Sequence, residues 1–131
     1  MQNFPSDYRY TKDHEWLDVK GKNSALVGVT SYAVEQLGDI VHMELPDLGE
    51  EFEAGASFGT IESTKTVSDL YMPVTGKVVA VNDEILGSLE TLQENPHDKG
   101  WLVKIEVKSE GDLKKLMDAK AYEAYLKDSN G

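Results

Sequence analysis

The chain contains no cysteine. Disulfide bonds and cysteine-ligated metals are therefore excluded, and any thiol chemistry would need sulfur supplied by an attached group. Basic residues are also few, since 13 Lys and Arg stand against 24 Asp and Glu and give a net charge of −11 at pH 7. Because binding to phosphates depends on Lys and Arg, this balance argues against nucleic-acid partners and against binding to anionic membranes.

Long apolar runs are missing as well. No stretch of about 18 apolar residues occurs, so the sequence predicts no membrane-spanning helix. Met1 to Tyr10 has no apolar core and includes Asp7, which is typical neither of a secretory signal nor of an Arg-rich transit peptide. We expect a cytoplasmic protein of bacterial type, in which residues 1–131 form a single domain.

Short strand-like segments dominate the chain. Apolar and polar residues alternate, or β-branched residues cluster, between turns that contain Gly or Pro. Seven segments have this character: Glu15–Val19, Ala25–Val29, Ile40–Leu45, Ser57–Glu62, Val67–Met72, Val74–Val81 and Trp101–Val107. The sequence therefore predicts a mainly β fold around one core.

Helical signals are weaker inside the chain. Thr30 or Ser31 can cap a short helix over Tyr32–Leu37, which Gly38 can end. The stretch 83–95 is polar and irregular, and we expect at most one helical turn there.

The C-terminal region has a clearer helical pattern. Ser109 and Asp112 resemble a capping box, and Ala119, Tyr122 and Leu126 repeat at helical spacing. This pattern predicts C-terminal helices over about residues 110–127.

Lys65 lies between two predicted strands, nearly midway between Gly55 and Gly76. A hairpin spanning about residues 57–72 would place its amine at the tip, accessible from all sides. The turn residues 63–66 lack the Asn-Gly or Gly-X signal of a two-residue hairpin turn. In a chain without thiols, an amine at such a tip favours an attachment point for a sulfur-bearing group on a carrier protein.

Many short motifs resemble the H-protein family of the glycine cleavage system in order and spacing. Around the lysine these motifs are Glu62-Ser63-Thr64-Lys65, Ser68-Asp69-Leu70-Tyr71, Pro73-Val74 and Gly76. Elsewhere they are His14-Glu15-Trp16, Gly28-Val29-Thr30, Leu37-Gly38-Asp39-Ile40-Val41, Glu44-Leu45-Pro46, Gly49, Val81-Asn82, Gly100-Trp101, Lys104-Ile105 and Ala121-Tyr122. The resemblance covers nearly the whole chain and is highly specific.

The resemblance implies a barrel-sandwich hybrid fold, related to lipoyl and biotinyl domains, with one short internal helix and C-terminal helices. It also implies that Lys65 carries lipoate in amide linkage and that the protein is a monomeric carrier, not an enzyme. A lipoyl or octanoyl transferase, or a lipoate ligase, would attach the cofactor.

The family's partners are implied in the same way. A pyridoxal-phosphate-dependent glycine decarboxylase (P protein) would load the aminomethyl group of glycine onto the carrier. A tetrahydrofolate-dependent aminomethyltransferase (T protein) would unload it, and dihydrolipoyl dehydrogenase (L protein) would reoxidise the dithiol.

The resemblance further implies a docking place for the loaded arm on the protein's own surface. The acids of the His-Glu-Trp motif and of the Ser-Asp pair match Glu15 and Asp69. An amine held by carboxylates is a favourable charge-assisted contact. From the residues alone, both would be ordinary surface acids, so this assignment depends on the resemblance.

Three positions depart from the family pattern. Gln93 stands where an Asn is usual, His97 where a Tyr is usual, and Met72 where a small residue is more common. We expect these changes to lie away from Lys65, to leave the modification intact and to bear on the choice of partner.

Other functions fit the sequence less well. A biotin carrier would have methionines beside its lysine, whereas threonines flank Lys65. Lipoyl domains of 2-oxo acid dehydrogenases are smaller and joined by linkers. The more serious alternative is an H-like lipoate-binding protein that acts outside glycine cleavage, in lipoate relay or sulfur oxidation. An enzyme is disfavoured because His14, His42 and His97 form no known catalytic or metal-binding pair.

Overall fold

The computed structural model describes residues 6–97, 99–108 and 110–130. None of the helices it describes is long and apolar enough to cross a membrane. The elements in chain order are β1 (Arg9–Tyr10), β2 (Glu15–Val19), β3 (Ser24–Val29), α1 (Ser31–Leu37), β4 (Ile40–Glu44), β5 (Glu51–Phe52), β6 (Ser57–Ser63), β7 (Val67–Tyr71), β8 (Gly76–Val81), α2 (Asp83–Leu86), α3 (Leu89–Glu94), β9 (Val103–Val107), α4 (Glu110–Leu113) and α5 (Ala119–Asn130).

The strands form two antiparallel sheets that share one core. The larger sheet has the order β1-β2-β3-β9-β8-β5, and the smaller has the order β4-β6-β7. One buried cluster draws Leu17, Val27 and Ile105 from the larger sheet and Met43 and Ile61 from the smaller. Burial of such side chains stabilises the fold by about 25 cal/mol per Å² of apolar surface. The predicted mainly β architecture is confirmed.

A second buried cluster attaches the C-terminal helix to the start of the chain. Tyr122 and Leu126 of α5 pack with Tyr10 of β1 and Trp16 of β2, and Ala119 lies at the margin of the cluster. The Tyr10 and Tyr122 rings are stacked, with centroids 4.9 Å apart. The stripe predicted at helical spacing is therefore the face by which α5 packs.

The C-terminal helical region has a break between α4 and α5. Met117 exchanges two backbone hydrogen bonds with Tyr10, of 2.8 and 2.9 Å, which holds this segment in an extended conformation. The Asp118 carboxylate then accepts a hydrogen bond from the Ala121 N–H at 2.8 Å and caps α5. Ser109 of the predicted capping box lies outside the described residues.

The stretch 83–95 contains two short helices, α2 and α3, where the sequence predicts at most one turn. Each contributes one buried side chain, Ile85 or Leu92, to the main cluster. The Asn82 amide fixes the entry to α2 by donating to the carbonyls of Lys99 and Trp101, at 3.2 and 2.8 Å. Helices this short are marginal alone, so packing against the core decides their formation.

The strand boundaries also differ slightly from prediction. Strands β8 and β9 begin two residues later than expected, and the sequence pattern does not predict β1 or β5. A two-residue strand is too short to display alternation, which explains why these two are missed.

Gly28 of β3 lets the backbone pass directly over the Trp16 indole. A Cβ at this position would lie 2.5 Å from two ring carbons. The ring is fully buried, and its Nε1 donates to the Pro96 carbonyl at 2.8 Å. Because the indole cannot move without losing this bond, only glycine fits here.

We predict that Gly28→Ala lowers the free energy of unfolding by roughly 1–3 kcal/mol, the usual cost of overpacking a core. Urea denaturation measures this quantity. Gly87→Ala is the matched control, because its φ is −89° and an added Cβ would meet only the Glu84 carbonyl oxygen, at 3.8 Å. Equal effects of the two substitutions would contradict the account of the Trp16 contact.

Candidate functional site

Strands β6 and β7 form an antiparallel hairpin whose turn carries Lys65. Glu62 pairs with Val67 at the last register position, which leaves residues 63–66 in the turn. Lys65 is exposed, and no ion pair to its amine occurs within the described residues. An exposed amine without an ionic partner is available to an acylating enzyme.

The side chain of Ser63 holds this turn, and only 5% of Ser63 is exposed. Its Oγ accepts hydrogen bonds from the N–H groups of Lys65 and Thr66, both at 3.2 Å. The Ser63 N–H donates to the Thr66 carbonyl at 2.8 Å. A serine that bonds two and three residues ahead is a known turn motif. This motif, and not an Asn-Gly pair, is the sequence signal for the hairpin.

The segment that follows α1 supports the turn from one side. The Thr64 N–H donates to the Asp39 carbonyl at 3.0 Å, and Ile40 of β4 pairs with Ser63 of β6. The aliphatic part of the lysine lies over Gly38, where a Cβ would come within 3.5 Å of Cε and 3.7 Å of Nζ. The backbone of the turn that carries Lys65 is therefore held in place by the neighbouring segment.

The positions that depart from the family pattern have structural roles. Gln93 Oε1 accepts from the Ile40 N–H at 3.1 Å, and His97 Nε2 accepts from the Ser31 N–H at the start of α1 at 2.9 Å. Burial lowers the pKa of His97 to about 4, so the ring is neutral at pH 7 and can accept this bond. Met72 is buried in the core. None touches the lysine in these contacts, but Gln93 is connected to the turn through Ile40.

Glu15 is buried at the start of β2, with only 2% of its surface exposed. Its carboxyl group accepts hydrogen bonds from Thr11 Oγ1 at 2.8 Å and from the Tyr71 N–H at 3.3 Å. Burial raises the pKa of Glu15 to about 8, although these two hydrogen bonds act in the opposite direction. The carboxyl group is therefore mostly protonated at neutral pH, and it connects β2 to the end of β7.

Asp69 is exposed on β7. Its carboxylate accepts from Ser57 Oγ at 3.4 Å and from the Tyr71 hydroxyl at 3.5 Å. The nearby charge of Asp69 is the main reason that the pKa of Tyr71 is raised. Tyr71 therefore links the two acids, through its N–H to Glu15 and through its hydroxyl to Asp69.

The structure brings Glu15 and Asp69 together around Tyr71 and leaves Lys65 apart from both. Lys65 lies four residues before Asp69 in the chain, a separation of roughly 13 Å along an extended strand. Only a long group on the lysine could reach back to these acids. Sequence reasoning did not assign Tyr71 a role, although strand periodicity puts residues 69 and 71 on the same face.

His14, beside Glu15, has a structural role. Its Nδ1 hydrogen-bonds the Tyr122 hydroxyl at 2.7 Å, and that hydroxyl hydrogen-bonds Thr30 Oγ1 at 2.8 Å. These contacts fasten α5 to the start of α1. No group of three or more His, Asp or Glu side chains in the described ranges is arranged to hold a metal ion.

Comparisons with known proteins agree with one another. The family model described as "Glycine cleavage H-protein" matches residues 8–129. The glycine cleavage system H protein of Anaeromyxobacter sp. (strain K) is 48% identical over 124 residues, which cover 95% of this chain and 96% of that protein. The H protein of Symbiobacterium thermophilum is 46% identical over 128 residues, which cover 98% and 99%.

A solved structure supports the same assignment. The crystal structure of a glycine cleavage system H protein from Mycobacterium marinum superposes with a TM-score of 0.85 at 40% identity, covering 92% of this chain and 97% of that one. The fold predicted from the resemblance is therefore confirmed.

We predict that Glu15 makes the protein less stable as the pH rises. Its pKa is about 8 in the folded protein against an ordinary value of 4.5, so the folded state retains the proton after the unfolded state has released it. The stability that protonated Glu15 contributes is present below about pH 4.5 and is lost as the pH rises through about 8. Glu15→Gln should therefore gain stability relative to the wild type, by a few kcal/mol, between about pH 5 and pH 8.

Urea unfolding at a series of pH values measures this difference. Glu90→Gln is the matched control, because it makes the same chemical change at a residue that is exposed on α3. A difference between Glu15→Gln and the wild type that does not vary with pH would contradict the raised pKa of Glu15.

Proposed function

The chain belongs to the glycine cleavage H-protein family, the lipoyl carriers of the glycine cleavage system, and we propose that Lys65 is its lipoyl attachment site. One observation supports this proposal above the others: the Lys65 amine is exposed at the tip of the β6–β7 hairpin and has no ionic partner among the described residues.

The residues around Lys65 fit an amide-linked lipoyl group. The turn is preformed by Ser63 and by the backbone of Asp39, so a modifying enzyme meets a fixed hairpin with a mobile amine. The lipoyl group, when bound, supplies the disulfide and dithiol chemistry that a chain without cysteine lacks. The amide-linked arm would act as a tether that raises the effective concentration of the carried group at each partner.

We propose that Glu15 and Asp69 receive the amine of the transported aminomethyl group beside Tyr71. Asp69 offers an exposed carboxylate, and Glu15 offers a buried carboxyl group behind it. An approaching ammonium favours the ionised form of Glu15 and so lowers its pKa. The resulting charge-assisted hydrogen bonds would hold the amine at a half-buried position and limit its access to water.

The carrier's partners are proposed from the family. The P protein would load the aminomethyl group, the T protein would transfer it to tetrahydrofolate, and the L protein would reoxidise the dithiol. A lipoyl or octanoyl transferase, or a lipoate ligase, would modify Lys65. The chain itself would act as a non-catalytic, monomeric carrier domain, and its net charge of −11 would steer it towards basic surfaces on these enzymes.

We predict that Lys65→Arg prevents lipoylation, because arginine offers no acylable amine. The measurement is intact mass after incubation with lipoate ligase, ATP and lipoate. Lys22→Arg is the matched control, since Lys22 is another exposed lysine between two paired strands and its variant should gain one lipoyl group like the wild type. A lipoyl mass gain by Lys65→Arg would refute the attachment site.

The lipoylated protein should then support glycine–bicarbonate exchange by the P protein. A fully lipoylated wild type that supports no exchange would move the assignment to an H-like protein that acts outside glycine cleavage.

We predict that Glu15→Gln and Asp69→Asn each speed loss of the aminomethyl group, by about tenfold, because each removes a charge-assisted hydrogen bond. Ammonia released from the loaded carrier measures the rate. Glu90→Gln should release at the wild-type rate. If both site variants also did so, neither acid would belong to the docking place.

A further inference from the structure

An apolar groove lies apart from the lysine hairpin. Six large apolar side chains are strongly exposed in the described part of the chain, and three of them line this groove: Leu48 (66% exposed), Val79 (46%) and Leu86 (41%). The groove has a volume of about 450 Å³. Single exposed apolar residues are ordinary, but a group that shares one groove is typical of a contact surface.

The turn that carries Leu48, on one side of the groove, is held by hydrogen bonds to β8. The Gly49 N–H donates to the Val78 carbonyl at 2.8 Å, and the Val78 N–H donates to the Glu50 carbonyl at 2.9 Å. The Asp47 N–H donates to Glu50 Oε2 at 3.0 Å, and Gly49 supplies the left-handed turn residue with φ 89°. Because the turn is bound to β8, the backbone at Leu48 is already ordered before a partner contacts it.

The rim of the groove is acidic. Asp47 and Asp83 line it, and none of the described residues that line it is basic. No ion pair to either carboxylate occurs within the described residues. A group that enters the groove therefore meets an apolar floor beside unneutralised negative charge.

We propose that this groove docks one of the enzymes served by the carrier, through an aliphatic or aromatic side chain flanked by Lys or Arg. The inference rests on the carrier function proposed above. Charge complementarity selects this occupant, since a second copy of the chain has a net charge of −11 and would place like charge against the rim.

The position of the groove suits this role. On β4, Ile40 pairs with Ser63 at the lysine turn, whereas Glu44 pairs with Thr60 farther along the hairpin. The groove residues Leu45–Leu48 follow Glu44 and lie beyond the end of β4 that is remote from the turn. A partner that holds the groove therefore leaves Lys65 free to enter its active site.

The test is steady-state kinetics of the P, T and L proteins, each taken separately, with the lipoylated carrier as the varied substrate. Leu48→Asp should raise KM for at least one enzyme by about tenfold, as expected for loss of a central contact, with kcat unchanged. The double variant Asp47→Lys/Asp83→Lys should raise KM for the same enzyme and weaken its dependence on salt. Val19→Asp is the control, because Val19 is similarly exposed (43%) but does not line the groove.

Each outcome bears on the inference. Thermal unfolding checks that Leu48→Asp folds, and Leu48→Ser replaces it if it does not. KM values within about twofold of the wild type for all three enzymes would overturn the docking surface while leaving the carrier function intact. A wild-type dimer in sedimentation velocity that Leu48→Asp dissociates would assign the groove to a second copy instead. If the lipoylated wild type were a substrate for none of the three enzymes, the carrier function would be overturned, and this inference with it.

Discussion

The buried hydroxyl of Ser63 allows the lysine hairpin to have an exposed amine and an ordered backbone at the same time. In the proposed carrier, the amine must extend into solvent, yet the backbone of Lys65 must stay where a modifying enzyme can recognise it. Ser63 Oγ accepts hydrogen bonds from the N–H groups of Lys65 and Thr66. Because a buried side chain closes the turn, the amine is left uncovered. The Asp39 carbonyl, which accepts the Thr64 N–H, fixes the turn against the segment that follows α1. The backbone of the hairpin tip is thereby held by hydrogen bonds, whereas the lysine side chain is exposed.

At the end of β7 farther from the turn, a polar group is buried at a cost in stability. A buried carboxyl group without a cation is costly when ionised, and Glu15 therefore stays protonated, with its pKa raised to about 8. Its hydrogen bond to the Tyr71 N–H joins the larger sheet to the smaller one. Asp69, on the other side of Tyr71, is exposed to solvent. In our proposal, β7 thus has the attachment point in the turn that precedes it and a receiving site for the cargo at its other end.

The sequence predicted the parts of the fold that depend on local pattern. Alternation located β2. Of the two residues expected to cap α1, Thr30 or Ser31, Thr30 does so, and its Oγ1 accepts from the Ala33 N–H. Contacts between distant segments were not predictable in this way. Glu15 is buried because β7 of the other sheet reaches it, and α3 forms because Leu92 packs into the core. Lys65 was singled out by its position and by the family resemblance, and its attachment to lipoate remains a prediction.

The most direct test of the central claim is the initial rate of lipoylation of Ser63→Ala compared with Ser63→Thr, followed by intact mass. The account predicts that Ser63→Ala is modified about tenfold more slowly than the wild type, because the turn loses the acceptor of two hydrogen bonds. Ser63→Thr, which keeps a hydroxyl group, should retain most of the rate. Modification of Ser63→Ala at the wild-type rate, with its fold intact, would contradict the claim that this hydroxyl presents Lys65.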